Sequence, residues 1–170
     1  MIIYGKQVCL YALTHHASKI ETIYVTKLSN LPKELLKKFG SKVKTIENKW
    51  AQKLSKGGNH QGFLIDIKEP QAPDISLIKE GDFVLILDGL TDVGNIGAIV
   101  RSAYALGVSA VIISGVKSFN LSGVIRASAG AALDLTPVLA PNILDLLNEF
   151  KQIGFKIYGA DLKGEPLQEA

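Results

Sequence analysis

A chain of 170 residues, 47% apolar and 21% charged with a net charge of +3, is long enough for one domain or two small ones with a buried core. It lacks both the ~18 consecutive apolar residues of a membrane span and the basic, apolar and small-residue succession of a signal peptide, so no membrane partner is expected. The single Cys9 excludes an intrachain disulfide and a cysteine metal cluster, and a cytoplasmic protein is the expectation.

In chain order, Ile3-Tyr4-Gly5 opens a short segment, and Val8, Leu10, Tyr11 and Leu13 form a helix-like apolar face. Ile20 to Val25 alternates loosely and reads as a strand. Pro32 and Gly40 bracket a short helix over Lys33 to Phe39. Val43 to Ile46 is a second strand. Asn48 is placed to cap a helix carrying Trp50, Ala51 and Leu54, which Gly57-Gly58 ends. Gly62 to Ile67 is a third strand, and the first part reads as a small α/β layer domain over residues 1–70. The segment Glu69 to Ser76, with two prolines and no periodicity, contains the linker at 71–76.

Residues 77–170 alternate strand and helix. The predicted strands are Phe83–Leu87, Ser109–Ile113, Ala132–Val138 and Lys156–Tyr158. The predicted helices are Ile96–Leu106, Leu121–Ala127 and Ile143–Ile153. That order implies a parallel sheet with right-handed crossovers, and it places ligands at the carboxyl ends of the strands. The loop Asp88 to Asn95 is therefore where chemistry is expected.

Charge divides along the same boundary. Residues 1–72 carry twelve lysines and no arginine against five acids, a balance of +7. Residues 73–170 carry five lysines and two arginines against eleven acids, a balance of −4. A basic first part suits a polyanion, and solvated surface lysines give the same count.

The individual motifs each have two readings. The loop glycines Gly89, Gly94 and Gly97 match neither the phosphate-loop nor the dinucleotide pattern, and on spacing alone they make a tight turn. Asn95 serves either as a helix cap or as a hydrogen-bonding group for a ribose. Arg101 is one of only two arginines beside 17 lysines, which points to a need for a planar, permanent cation, the alternative being a surface ion pair. Arg126 precedes the small-residue run Ala127 to Ala132, and packing is the expected role there. His60 lies in a loop with no second ligand at metal spacing, so a zinc site is rejected and no metal is expected.

Taken together, three segments resemble the first conserved motif of the SpoU/TrmH family. They are Leu87-Asp88-Gly89, Asp92-Val93-Gly94-Asn95-Ile96-Gly97-Ala98 and Arg101-Ser102-Ala103. These are RNA ribose 2′-O-methyltransferases of the knotted SPOUT class. Val93 stands where the family usually has proline. Ala105 to Val108 and Arg126 to Ala131 continue the likeness. Ile3-Tyr4-Gly5 and His60-Gln61-Gly62 resemble the substrate-binding domain that many members carry first.

The resemblance implies an α/β protein with a small N-terminal RNA-binding domain. The parallel-sheet first part of a trefoil-knot methyltransferase domain would follow over 77–170. The family's glycine–glutamate and serine–leucine–asparagine motifs, which build the pocket for S-adenosylmethionine, do not occur in the sequence. A knot region missing, no cofactor-binding residue within this chain and no activity of the 170 residues alone are the corresponding expectations. The resemblance further implies methyl transfer to a ribose 2′-hydroxyl of rRNA or tRNA, rRNA favoured, by a homodimer. Arg101 and Asn95 would be catalytic, and His60 and Gln61 would bind RNA. A guanidinium stays protonated, so Arg101 would act as a fixed cation on a phosphate and the developing alkoxide. The competing readings are an RNA-binding protein with a degenerate, non-catalytic methyltransferase domain and a generic nucleotide-binding α/β protein.

Overall fold

The computed structural model describes residues 1–140, 142–160 and 163–165. Two sheets organise it. The first holds β1 (Ile2–Tyr4), β2 (Ile20–Val25), β3 (Val43–Thr45) and β4 (Phe63–Ile67) in the order β1-β4-β2-β3. β4 runs antiparallel to both β1 and β2, and β3 joins β2 in parallel. Around it lie α1 (Lys6–His15), α2 (Lys33–Phe39) and α3 (Asn48–Leu54).

The second sheet is parallel, in the order β5-β6-β7, with β5 (Val84–Asp88), β6 (Ala110–Ser114) and β7 (Val138–Leu139). Its helices are α4 (Ile75–Ile78), α5 (Val93–Ala105), α6 (Leu121–Ala127) and α7 (Ile143–Gln152). Every residue of β6 is buried, as expected for a central parallel strand covered on both faces. On one face Ile112, Val138, Leu146 and Phe150 form a separate cluster under α7. On the other face Val111, Ile113, Ile96 and Val124 belong to one continuous cluster with Ile3, Leu13, Ile23 and Phe63 of the first sheet. Each such buried aliphatic or aromatic side chain contributes about 1.5–3 kcal/mol.

Several boundaries differ from the sequence reading. α5 begins at Val93, three residues before the expected Ile96, because Asp92 caps the helix and Gly94 lies inside it. α3 starts at Asn48 itself, with Glu47 in the capping position and no side-chain cap bond. The segment predicted as a strand from Ala132 instead turns as a 3-10 helix over Ala131–Leu133, and pairing is confined to Val138–Leu139. Gly130 at φ +102 and a Ser128 hydroxyl accepting the Ala132 N–H hold that turn, while Pro137 has no N–H to give a ladder. Lys156–Tyr158 is not a strand: no described neighbour pairs with it, and Tyr158 is exposed. The expected linker already contains the start of α4, capped by Asp74, whose carboxylate accepts the Ser76 N–H at 2.9 Å. That backbone bond, then the Ser76 hydroxyl, holds the Asp74 carboxyl below the usual carboxylate range. Among the described residues no helix is long and apolar enough to cross a membrane.

Candidate functional site

The carboxyl ends of β5 and β6 are zipped together. Asp88 pairs in register with Ser114, whose hydroxyl donates to Asp88 Oδ1 at 3.0 Å, and the Gly89 N–H donates to the Ser114 carbonyl at 2.8 Å. Gly89 takes φ +67 and Gly115 φ +69, and a side chain at Gly115 would meet Asp88 Oδ1 at 2.7 Å. Asp88 thus aligns the strand ends while remaining exposed.

Asp92 caps α5. Its Oδ1 accepts the Asn95 N–H at 2.6 Å, so Asn95 sits in the first turn and is the capped residue, not the cap. Buried Ile96, Gly97, Val100 and Ala103 turn inward. Asn95, Ala98 and Arg101 occupy the exposed side. At 100° and 1.5 Å per residue, Asn95 and Arg101 stand about 120° and ~9 Å apart on that helix. The structure does not bring them into contact. Among the described residues no acid pairs with Arg101, so the surface ion-pair alternative has no partner here. The N-terminus of α6 lies beside that of α5, since a side chain at Gly123 would meet Val93 Cγ1 at 2.8 Å.

His60 and Gln61 lie in the loop before β4. His60 is buried, and its Nδ1 accepts the Gly62 N–H at 2.9 Å. Gln61 is exposed at φ +52, and its Oε1 accepts the N–H of Lys6, the first residue of α1, at 2.8 Å. His60 thus shapes the loop, and Gln61 joins it to α1.

Three residues with functions across the chain carried little sequence signal. Arg126 stacks its guanidinium 3.9 Å from the ring centroid of Tyr4, tying α6 to β1. The small-residue run after Arg126 had pointed to packing, as found, but not to this partner. The Tyr11 hydroxyl donates to Asp134, joining α1 to the second unit, and His16 Nε2 lies 3.3 Å from the same carboxylate without hydrogen-bond geometry. Among the described residues no three of His, Cys, Asp and Glu cluster as a metal site.

The fold and strand-end loops define an α/β chain with a basic module ahead of a parallel-sheet module. Two family models match it: RNA 2′-O ribose methyltransferase substrate binding over residues 2–73, and the SpoU rRNA Methylase family over residues 82–170. The chain belongs to the SpoU rRNA methylase family. It is 36% identical over 118 residues to the 23S rRNA (guanosine-2′-O-)-methyltransferase RlmB of Neisseria meningitidis, covering 66% of this chain and 47% of that protein. It is 30% identical over 150 residues to an uncharacterized tRNA/rRNA methyltransferase of Borreliella burgdorferi, covering 80% and 66%. The chain therefore spans about half to two thirds of these relatives. Among solved structures, an RNA 2′-O ribose methyltransferase superposes with a TM-score of 0.63 at 25% identity, over 90% of this chain and 59% of that one. The SpoU methyltransferase AviRb of Streptomyces viridochromogenes, solved with AdoMet, gives 0.64 at 23%, over 89% and 58%, a likeness of fold.

The family uses S-adenosylmethionine. Two clefts among the described residues lie away from the strand carboxyl ends. One, of about 380 Å³, is bounded by Lys19, Pro70, Asp134 and Thr136. The other, of about 330 Å³, is lined by Phe83, Leu85, Ile99 and Leu106, at the opposite end of β5. Neither cleft is placed to present a cofactor to the loop at the end of β5.

Proposed function

We propose that the protein is an RNA ribose 2′-O-methyltransferase that uses S-adenosylmethionine, with rRNA favoured over tRNA. Residues 1–70 would be its RNA-binding domain, 71–76 the linker and 77–170 its methyltransferase portion. The observation that carries this reading is the succession, in one chain, of a substrate-binding match over 2–73 and a methylase match over 82–170. It acts in the cytoplasm as a homodimer. Arg101 supports the reading chemically: it is an exposed guanidinium with no acid paired to it among the described residues, on the helix that leaves the β5 strand end. It binds the phosphate beside the target ribose and stabilises negative charge growing on the 2′-oxygen. Asn95, one turn into the same helix, orients the ribose. His60 and Gln61 take part in RNA binding indirectly, by holding their loop in shape.

The test is transfer of labelled methyl groups from S-adenosylmethionine to unmodified ribosomal RNA by the complete protein, with the product mapped by resistance to alkaline cleavage. Arg101→Lys keeps the charge and loses the planar fork, and single-turnover methylation should fall by ~10²–10³. Turnover of Arg101→Lys at the wild-type rate would remove Arg101 from the chemistry. Sedimentation of the complete protein tests the homodimer.

A further inference from the structure

Trp50 is the only tryptophan of the chain, and it lies open on α3 with 57% of its surface exposed. An aromatic of this size normally buries 150–250 Å² in a core or an interface. The Lys53 ammonium sits 5.1 Å from its ring centroid. Lys49, one turn before Lys53, and Lys56, just beyond the helix, are also exposed. Nothing in the folding of α3 asks for this arrangement. The helix has seven residues, no side-chain cap and no acid in its first turn. Lys49 and Lys53 stand four apart, a spacing at which like charges repel.

The surroundings say where a ligand on α3 would lie. The loop after α3 carries Lys56 at φ +52 and Gly57 at φ +80, and Gly58 packs so closely on Tyr4 that a side chain there would overlap the phenol oxygen. Tyr4 in turn carries the Arg126 guanidinium of the second unit. The loop that follows α3 is thus packed next to the seam between the two units.

We propose that Trp50 is a stacking platform for an unpaired base of the RNA, with Lys49, Lys53 and Lys56 holding the neighbouring phosphates. This rests on the RNA reading of the basic domain and adds the place and the mode of contact. A ring beneath a cation offers a face on which any base can stack, and lysines supply sequence-independent phosphate contacts. A single aromatic among lysines is too small and too charged for a protein interface, which needs roughly 800 Å² per partner.

The experiment uses the whole chain and the intrinsic fluorescence of Trp50, which reports on this one site. Short single-stranded oligouridylate should quench it, whereas heparin, a polyanion without bases, should bind and leave it nearly unchanged. Trp50→Ala should weaken oligouridylate binding about tenfold by anisotropy, with heparin affinity unchanged; Trp50→Phe should recover most of the loss. Circular dichroism checks that the variants fold. Oligouridylate binding by Trp50→Ala at the wild-type affinity, together with a normal salt dependence, overturns the platform and leaves the RNA reading standing. Quenching by heparin equal to that by RNA overturns it as well. A wild-type chain that binds no RNA overturns both readings. A change in oligomeric state of Trp50→Ala, with RNA affinity intact, would make the face a protein contact instead.

Discussion

At position 97 a hydrogen atom is all that fits. A methyl group there would stand 2.3 Å from the Ala127 Cβ and 2.8 Å from its carbonyl carbon, so α5 and α6 touch backbone to backbone. Alanine is worth about 1 kcal/mol more than glycine inside a helix. Gly97→Ala should nevertheless destabilise the chain by roughly 1–3 kcal/mol, because α6 cannot move aside without opening its buried face. Gly94 is the control on the same helix. Its nearest neighbour would be Asp92 Oδ1 at 3.2 Å, the end of an exposed side chain. Gly94→Ala should change stability by less than about 1 kcal/mol. Urea denaturation of both variants decides it; equal midpoints would mean that the α5–α6 contact is loose. Asp92→Ala should cost about 1 kcal/mol through the lost cap.

At the scale of elements, α1 is locked to the first sheet by small and apolar residues. Cys9 is fully buried, its Sγ 3.7 Å from the Phe63 carbonyl, and burial pushes its thiol well above the usual cysteine range. The thiol should be inert to Ellman's reagent in native buffer and react only as fast as the first sheet opens. Titrating urea should raise its reactivity in step with unfolding measured by circular dichroism. Fast reaction in native buffer would show that α1 frays from the sheet. This element was readable as an amphipathic helix. The Val93 start of α5 was harder to read, because glycines suggest a loop until Asp92 is known to cap the helix and Gly97 to meet Ala127.

Across the whole molecule, one continuous apolar cluster joins the units, and two polar contacts add to it: Arg126 on Tyr4 and Tyr11 on Asp134. Burial first, and then Asp134 and Tyr104, push the Tyr11 phenol above the ordinary tyrosine range. The folded chain therefore favours the neutral phenol. Its contribution is fully present below the unfolded pKa of ~10 and is lost as pH rises through the higher folded value. Tyr11→Phe should cost about 1 kcal/mol at neutral pH and flatten the alkaline fall of stability. Thermal melts between neutral and strongly alkaline pH check this; an unchanged slope would make Tyr11 a packing residue only.

The sequence by itself determined β2 to β6 with the helices between them except α4, the basic-to-acidic division and the family. These rest on local period, capping and turn chemistry and on residues close together in the chain, such as Leu87 to Ala103. Only the tertiary structure decided that Asn95 is the capped residue, that His60 is buried and that Arg101 is unpaired among the described residues. It alone turned the Ala132 segment into a short helix and left Lys156–Tyr158 without a ladder. It alone set Tyr4 beneath Arg126 and left Trp50 bare. Strand pairing, burial and side-chain partners depend on neighbours dozens of residues away, and no local pattern in the chain records who those neighbours are.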